Sequence, residues 1–555
     1  MRTPFFKFLM GTDYKIGNMK DNITESTDRI SQLPEFIVHH ILSFLDSPLH
    51  LVRMSVLSKN WSSLTSSFPI LDFNISKFST ALHESKCPFH KNSGYIHDNF
   101  IKYVDYTTSR FCKQNVSARK LTLDTVLQEP AEIDTIRRCL DLILKQGVQE
   151  FVVNILGSPK HLPMFRLPNT LSSVCSSTLT SLYIRSCVLP CSFMVGDVKF
   201  KSLKVLSFHK VRIDEEVIKY LSTNCPLLKE FNVKDCYGFK RFCVHGHQNL
   251  EKVRIYYNRG VESIYIEAPN LHYLLLMDWE GKGRPSMNFG LCKKLTTLSY
   301  YEYPSPNGLA KFSSNFPFVE NLFLKLANNC NNLKLSSTSL KTFVLHSRCD
   351  LDEIDIYTPN LTLFEYKGHP HIPNPSLRDL THSKARMECS PTEDVNIVWF
   401  QKLRRFLGKQ NGYKDLKLQL STSLIDVEEL KAIKSPPYEL EHVDLELHSI
   451  KNTAVYISVM EAVFWCCHPR SVAIKINAIF FSLDLKERRR AVRFTYNKLL
   501  QQEDRGDTNI QIVLSSSSKP KKQFRNLNSL ITALARVQPG QIITFTKEEV
   551  VQEAG

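Results

Sequence analysis

From Leu179 onward, apolar residues recur at offsets 0, 3 and 5 of a repeating unit. The pattern fits Leu179/Leu182/Ile184, Leu203/Leu206/Phe208, Leu228/Phe231/Val233, Leu250/Val253/Ile255 and Leu271/Leu274/Leu276. It continues through Leu295/Leu298/Tyr300, Val319/Leu322/Leu324, Leu340/Phe343/Leu345 and Leu361/Phe364/Tyr366. Successive first positions lie 21 to 25 residues apart. Offsets 3 and 5 alternate as one face of a short strand does, and the fixed interval separates stacked repeats from an ordinary sheet. Pro226, Pro269, Pro317 and Pro359 each stand two residues before a first position. A proline disfavours helix just before it, so these four mark where one return segment ends and the next strand begins. Weaker copies are Leu121/Leu123 and Val148/Phe151/Val153 before this stretch, and Leu416/Leu418 and Leu440/Val443/Leu445 after it.

The N-terminal part has a different period. Ile37, Val38, Ile41, Leu42 and Leu45 fall on one face of a helix, with Pro34 expected in its first turn. Phe36 and Phe44 are apolar as well, so few positions of this short helix are polar. A surface helix needs one apolar stripe; a wider one implies burial on more than one side, and the surplus suggests a docking face. Further on, Phe100, Tyr103 and Val104 have the spacing of a linker helix. Near the C-terminus, Val492, Tyr496, Leu499 and Leu500 predict a helix within 484–502, followed by a strand over 509–514 and a polar surface loop over 515–522.

Chemistry narrows the picture mainly by exclusion. The net charge of +16 comes from 71 basic and 55 acidic residues spread through 555 positions with no long basic tract, which describes a solvated basic surface and not a nucleic-acid module. The run Lys486-Glu-Arg-Arg-Arg reads as a solvated helix face. Fifteen cysteines include no CxxC pair, and His83, Cys87, His90 and His97 match no zinc spacing, so no metal or cofactor is expected. No P-loop, G-x-G-x-x-G, G-x-S-x-G or H-E-x-x-H is present, and an enzyme is not expected. The expected setting is the cytoplasm and/or nucleus, without a membrane span and with reduced thiols.

The pattern L-x-x-L-x-L at this period is that of leucine-rich repeats, which stack into a curved solenoid whose strands line the concave side. With offsets 3 and 5 inward, the offset-6 column reads Arg185, His209, Lys234, Tyr256, Met277, Tyr301, Lys325, His346 and Lys367. Arg254, Tyr273 and Phe323 join this concave face. Aromatic anchors among donors of one sign suit an acidic, phosphorylated or carboxylate-bearing target. A small anionic ligand is the alternative occupant.

The segment Asp28–Trp61, with Leu33-Pro34 and Val56-Leu57-Ser58-Lys59-Asn60-Trp61, resembles an F-box. Together with the repeats, the chain over 28–450 resembles the plant F-box/leucine-rich-repeat, FBD-like group. That resemblance implies an α/β fold class: an all-α F-box, a leucine-rich-repeat solenoid and a C-terminal capping α/β region. The expected divisions are a disordered leader (1–27), F-box (28–75), linker helix region (76–115), repeats (116–450) and a capping or FBD-like region (451–555). It also implies that Leu33, Pro34, Ile37, Ile41, Leu42, Leu45, Val52, Val56, Leu57 and Trp61 form the F-box core or contact a Skp-type adaptor. Through that adaptor the chain would join cullin and RING subunits as substrate receptor of an SCF ubiquitin ligase, with the repeats binding a protein target. A repeat-based ligand sensor or scaffold outside such a ligase is the alternative. Asp46–His50 and Asn60 depart from the residues common in that group.

Overall fold

The computed structural model describes residues 30, 33–45, 48–84, 93–156, 163–174, 176–190, 193, 200–256, 258, 260–277, 286–302, 316–326, 332–347, 353–368, 374–378, 385–391, 394–408, 413–431, 436–450, 452–502, 509–516 and 521–548. The leader assigned to 1–27 lies outside them. Two compact units are formed, one from Met1–Tyr273 with Glu280–Lys294, the other from Leu274–Trp279 with Leu295–Gly555.

The first unit opens with three short helices, α1 (Glu35–Leu42), α2 (Pro48–Met54) and α3 (Lys59–Ser66). Ser58 caps α3 by accepting from the Trp61 N–H at 3.1 Å. Val38, Leu42, Trp61 and Phe68 make a small core, with Leu45, Leu51, Met54, Leu64 and Ile70 packed around it. Ile70 is also the first residue of β1 (Ile70–Asn74), so the chain passes from the helical core into a strand within a few residues. Helices α4 (Ile75–Glu84) and α5 (Ser93–Cys112) follow. In α5, Phe100, Tyr103 and Val104 are buried as the spacing predicted, and Phe100 and Tyr103 contact the Phe78 ring.

Strand β1 is the edge of a parallel ladder with β2 (Ala118–Thr125), β3 (Val148–Ile155), β4 (Ser181–Arg185), β5 (Val205–His209), β6 (Glu230–Lys234) and β8 (Lys252–Tyr256). Return segments include α6 (Pro130–Lys145), α7 (Glu215–Asn224) and a second parallel sheet of β7 (Arg241–Val244), β9 (Ser263–Ile266) and β11 (Ser286–Asn288). Strand β10 is Tyr273–Met277. The first positions Leu179, Leu203, Leu228, Leu250 and Leu271 are all buried, which fixes the repeat phase.

Two devices join the repeats. After three strands the chain turns through a left-handed residue, at Ser186 (φ 55°), Lys210 (φ 55°) and Asp235 (φ 52°). Each of these donates its N–H to the end of the next ladder strand, at His209, Lys234 and Tyr256, which offsets the cost of the left-handed conformation. One residue before the first position, Ser202, Asn249 and Asn270 donate side-chain hydrogen bonds to the carbonyls of Ser177, Pro226 and Gln248 in the preceding repeat. Asn258 does the same work deeper in: it accepts from the Cys236 N–H at 2.8 Å and donates to the Val233 carbonyl at 3.1 Å.

The second unit holds a parallel ladder of β12 (Thr297–Glu302), β13 (Asn321–Leu326), β15 (Thr342–Ser347), β17 (Leu363–Gly368), β19 (Ala385–Pro391), β20 (Tyr413–Ser421), β21 (Tyr438–Ser449) and β22 (Cys467–Lys475). Strands β14 (Asn332–Ser336), β16 (Glu353–Tyr357) and β18 (Asn374–Arg378) form its return sheet. From β19 on, returns become helical, through α8 (Ile397–Gly408) and α9 (Thr453–Cys466). The parallel ladder thus runs past residue 450, to Lys475. It ends where β25 (Ile542–Lys547) pairs antiparallel with β22 and with β23 (Ile510–Ser515). Helix α10 (Leu485–Leu500) covers this end. Ser515 closes β23 and Lys522 opens its antiparallel partner β24 (Lys522–Phe524), while residues 517–520 of the polar loop expected between them lie outside the described residues.

Candidate functional site: an apolar helical head and a charged strand face

The first candidate surface lies on the helical head. Of the sequence-predicted set, Leu42 (1% exposed) and Trp61 (4%) are core, while Leu45 and Ile37 are half-buried. Leu33, Ile41, Val56 and Leu57 are exposed, with Leu57 at 63%. Val52 is intermediate. Pro34 stands one place earlier than expected, as N-cap with φ −52° and ψ 143°, accepting at its carbonyl from Ile37 and Val38. The expected single apolar face of α1 therefore divides. Val38 and Leu42 point into the core, and Ile41 joins Phe36 and Phe44, each 71% exposed, on the open side. Ile30 adds to it, so among the described residues seven large apolar side chains between 30 and 57 face solvent. Of the departures, Asp46 and Ser47 lie outside the described residues, and Asn60 is exposed at the start of α3.

This head is held to the ladder by more than the chain itself. Arg110 of α5 donates to the Ser62 carbonyl at 2.8 Å and to its hydroxyl at 3.1 Å, with its guanidinium over the Tyr106 ring. Burial pushes the Tyr103 hydroxyl up to about 12, so it is a neutral part of that packing.

The second candidate surface is the outward strand face. In the first unit the ladder register sets Asn74, Asp124, Asn154, Arg185, His209, Lys234 and Tyr256 in one row. The predicted column is there, but it is less basic than its sequence suggests. His209 is only 8% exposed and bonds Asp235 at 3.0 Å. Burial, then Arg185, holds His209 below the usual histidine range although Asp235 opposes this. Arg254 pairs with Glu230 and Asn232 and covers the Tyr273 ring. Burial raises Glu230, but hydrogen bonds from Lys252 and Arg254 outweigh it and leave the carboxyl below its usual range. Lys234 lies over the Tyr256 ring at 5.9 Å.

In the second unit Met277 and His346 are half-buried, Lys325 lies over the Tyr301 ring at 5.4 Å and Phe323 is 40% exposed. The Lys367 side chain lies outside the described residues. Register continues these rows into residues the sequence reasoning missed: Glu388, Asp415, Asp444 and Glu446. Of these, Glu388, Asp444 and Glu446 bind Arg386, Lys417, His442 and Lys475, so this part of the second unit's strand face is a compensated ion-pair network and not a basic surface. Their signal was the alternation around Met387, Leu416 and Val443, whose spacing of 27 to 29 residues exceeds that of the earlier repeats.

Among the described residues no group of His, Cys, Asp and Glu could hold a metal. His97 is instead buried between Glu132 (2.9 Å) and the Val126 carbonyl (2.6 Å), and Cys87 and His90 lie outside the described residues. No described helix is long and apolar enough to cross a membrane.

The helical head coincides with a match to the F-box domain over residues 30–73. The repeats coincide with a match to "FBD-associated F-box protein At5g56370, LRR repeats" over residues 136–308. An F-box set directly before leucine-rich repeats defines the class of F-box/leucine-rich-repeat proteins. The relatives narrow that class. The Arabidopsis thaliana F-box/FBD/LRR-repeat protein At1g13570 is 26% identical over 439 residues, 76% of this chain and 88% of that protein. F-box/LRR-repeat protein 25 is 24% identical over 46% of this chain and 89% of its own length, and F-box/LRR-repeat protein At4g14103 is 25% identical over 66% and 92%, both from the same plant. The chain thus carries an F-box and leucine-rich repeats and is similar to the F-box/leucine-rich-repeat proteins of plants.

Proposed function

We propose that this chain is the substrate-recognition subunit of an SCF-type E3 ubiquitin ligase. F-box domains as a class bind Skp-type adaptors. The observation that carries the reading is the cluster of seven exposed large apolar side chains on the F-box, which a module this small leaves uncovered. In this reading Phe36, Ile41, Phe44, Val56 and Leu57 dock the adaptor, and through it cullin and RING subunits. The strand face holds the protein to be ubiquitinated. The join from Phe68 to Ile70 and the Arg110–Ser62 hydrogen bonds support a fixed distance between the two. The chain itself carries out no reaction, and it works in the cytoplasm or nucleus, where its free thiols stay reduced. Co-purification of the full chain with a recombinant Skp-type adaptor tests this. A folded chain that does not retain the adaptor would refute it.

A further inference from the structure

Within the first unit, the strand face holds charges that are compensated and charges that are not. His209, Glu230, Lys252 and Arg254 are all paired. Among the described residues, Asp124, Arg185 and Lys234 form no ion pair. Asp124 is instead oriented by two neutral donors, the Asn74 amide at 3.1 Å and the Asn154 amide at 3.0 Å, one to each carboxylate oxygen. Such donors fix the carboxylate without cancelling its charge. Three charges without an ion-pair partner therefore share one row, the nearer two attracting each other across it: negative on β2, positive on β4, positive on β6.

Their spacing selects a conformation. Ladder strands lie about 4.8 Å apart, so Asp124 to Arg185 and Arg185 to Lys234 are each steps of about 9.6 Å. A polyproline-II segment rises about 3.1 Å per residue with three residues per turn, which returns the same face every 9.3 Å or so. An ordinary β-strand cannot do this, because residues three apart point to opposite faces. The half-exposed ring of Tyr183 lies beside the row and that of Tyr256 ends it, and aromatic surfaces are what such extended segments pack on.

Building on the proposed role of this face in target binding, we infer that it recognises an extended polyproline-II segment carrying the pattern basic-x-x-acidic-x-x-acidic. The basic side chain meets Asp124, and the two carboxylates meet Arg185 and Lys234.

The test uses the full chain and two end-blocked, fluorescent peptides of one composition, Arg-Pro-Pro-Glu-Pro-Pro-Glu and Glu-Pro-Pro-Arg-Pro-Pro-Glu. By anisotropy at low salt the first should bind about tenfold more tightly, since only its charges match the row. Arg185→Glu should abolish that preference. The combined variant Asp124→Lys, Arg185→Glu, Lys234→Glu should prefer Glu-Pro-Pro-Lys-Pro-Pro-Lys. Equal binding of the two isomers, or no binding of either at millimolar concentration, overturns the inference. Adaptor retention measured on the same preparations separates outcomes: with the adaptor retained, a failed peptide preference sinks this inference alone, whereas loss of adaptor binding by the unaltered chain sinks the ligase reading.

Discussion

The F-box and the ladder it is fused to solve opposite problems. The F-box has a core of four buried side chains and leaves seven large apolar ones in water, so its surface is unfinished without a partner. The ladder buries the first position of every repeat against its own neighbours and turns charge outward, much of it already paired. Recognition by the F-box is thus a matter of area and shape, which many partners of one family can share. Recognition by the ladder depends on which charges remain uncompensated, and that changes with a single substitution. The proposed role, one shared adaptor and a target of its own, calls for this division.

The comparison is broken most severely from inside the F-box. Trp61→Ala removes the largest side chain of a minimal core, at a cost of about 3–5 kcal/mol, which should unfold the F-box and abolish adaptor binding. Limited proteolysis should then cut between residues 30 and 68 while the ladder resists. Equal resistance of both regions would mean that the core is larger than these four residues. Leu42→Ala acts in the same way, since Leu42 is 1% exposed, and it cannot report on docking.

Phe36→Ala with Phe44→Ala separates surface from core. Both rings are mostly exposed, so stability should move by less than about 0.5 kcal/mol each. Adaptor affinity should fall by about 2 kcal/mol or more, roughly thirtyfold, as for aromatic anchors generally. Calorimetric titration beside a denaturation curve reads the two independently. On the ladder side, Asn258→Ala leaves the Cys236 N–H and the Val233 carbonyl without their partner and should cost about 1–3 kcal/mol. Adaptor affinity should be unchanged, and a parallel loss of both would show the F-box and ladder to be one cooperative structure.

Much of this was legible in the sequence. The repeat phase was, because each first position must be apolar to fill the stack, as Leu179 through Leu361 do. The F-box surplus was legible too, though the division of α1 between Leu42 and Ile41 was not, since a short helix that is apolar all round carries little phase. The bonds of Ser202, Asn249 and Asn270 stood in the sequence as a polar residue before Leu203, Leu250 and Leu271, but polar residues mark loops generally. The charge balance of the strand face was hidden for a different reason. Pairs such as Arg386–Asp444 join residues 58 apart, and they become neighbours only once the return segments are known.

The smallest effect concerns acid, and it should appear in the ladder. His247 is 4% exposed and its Nε2 donates to the Cys225 carbonyl at 3.0 Å. Burial holds it below the usual histidine range even though that carbonyl favours the protonated form. It is therefore neutral in the fold, whereas the unfolded chain takes up a proton near pH 6.5 or so. Its contribution is complete above that pH and declines as pH falls through it toward the lower folded value. The Glu230 carboxyl, held low by Lys252 and Arg254, adds its own loss only below the ordinary carboxylate range, so the two limbs are separable. Hydrogen exchange at pH about 7.5 and about 5.5 should show faster opening of β6 and β8 at the lower value, corrected for intrinsic rates. His247→Gln should weaken that difference. An unchanged pH dependence in the variant would assign the limb to His209, the other histidine of these repeats that burial holds low.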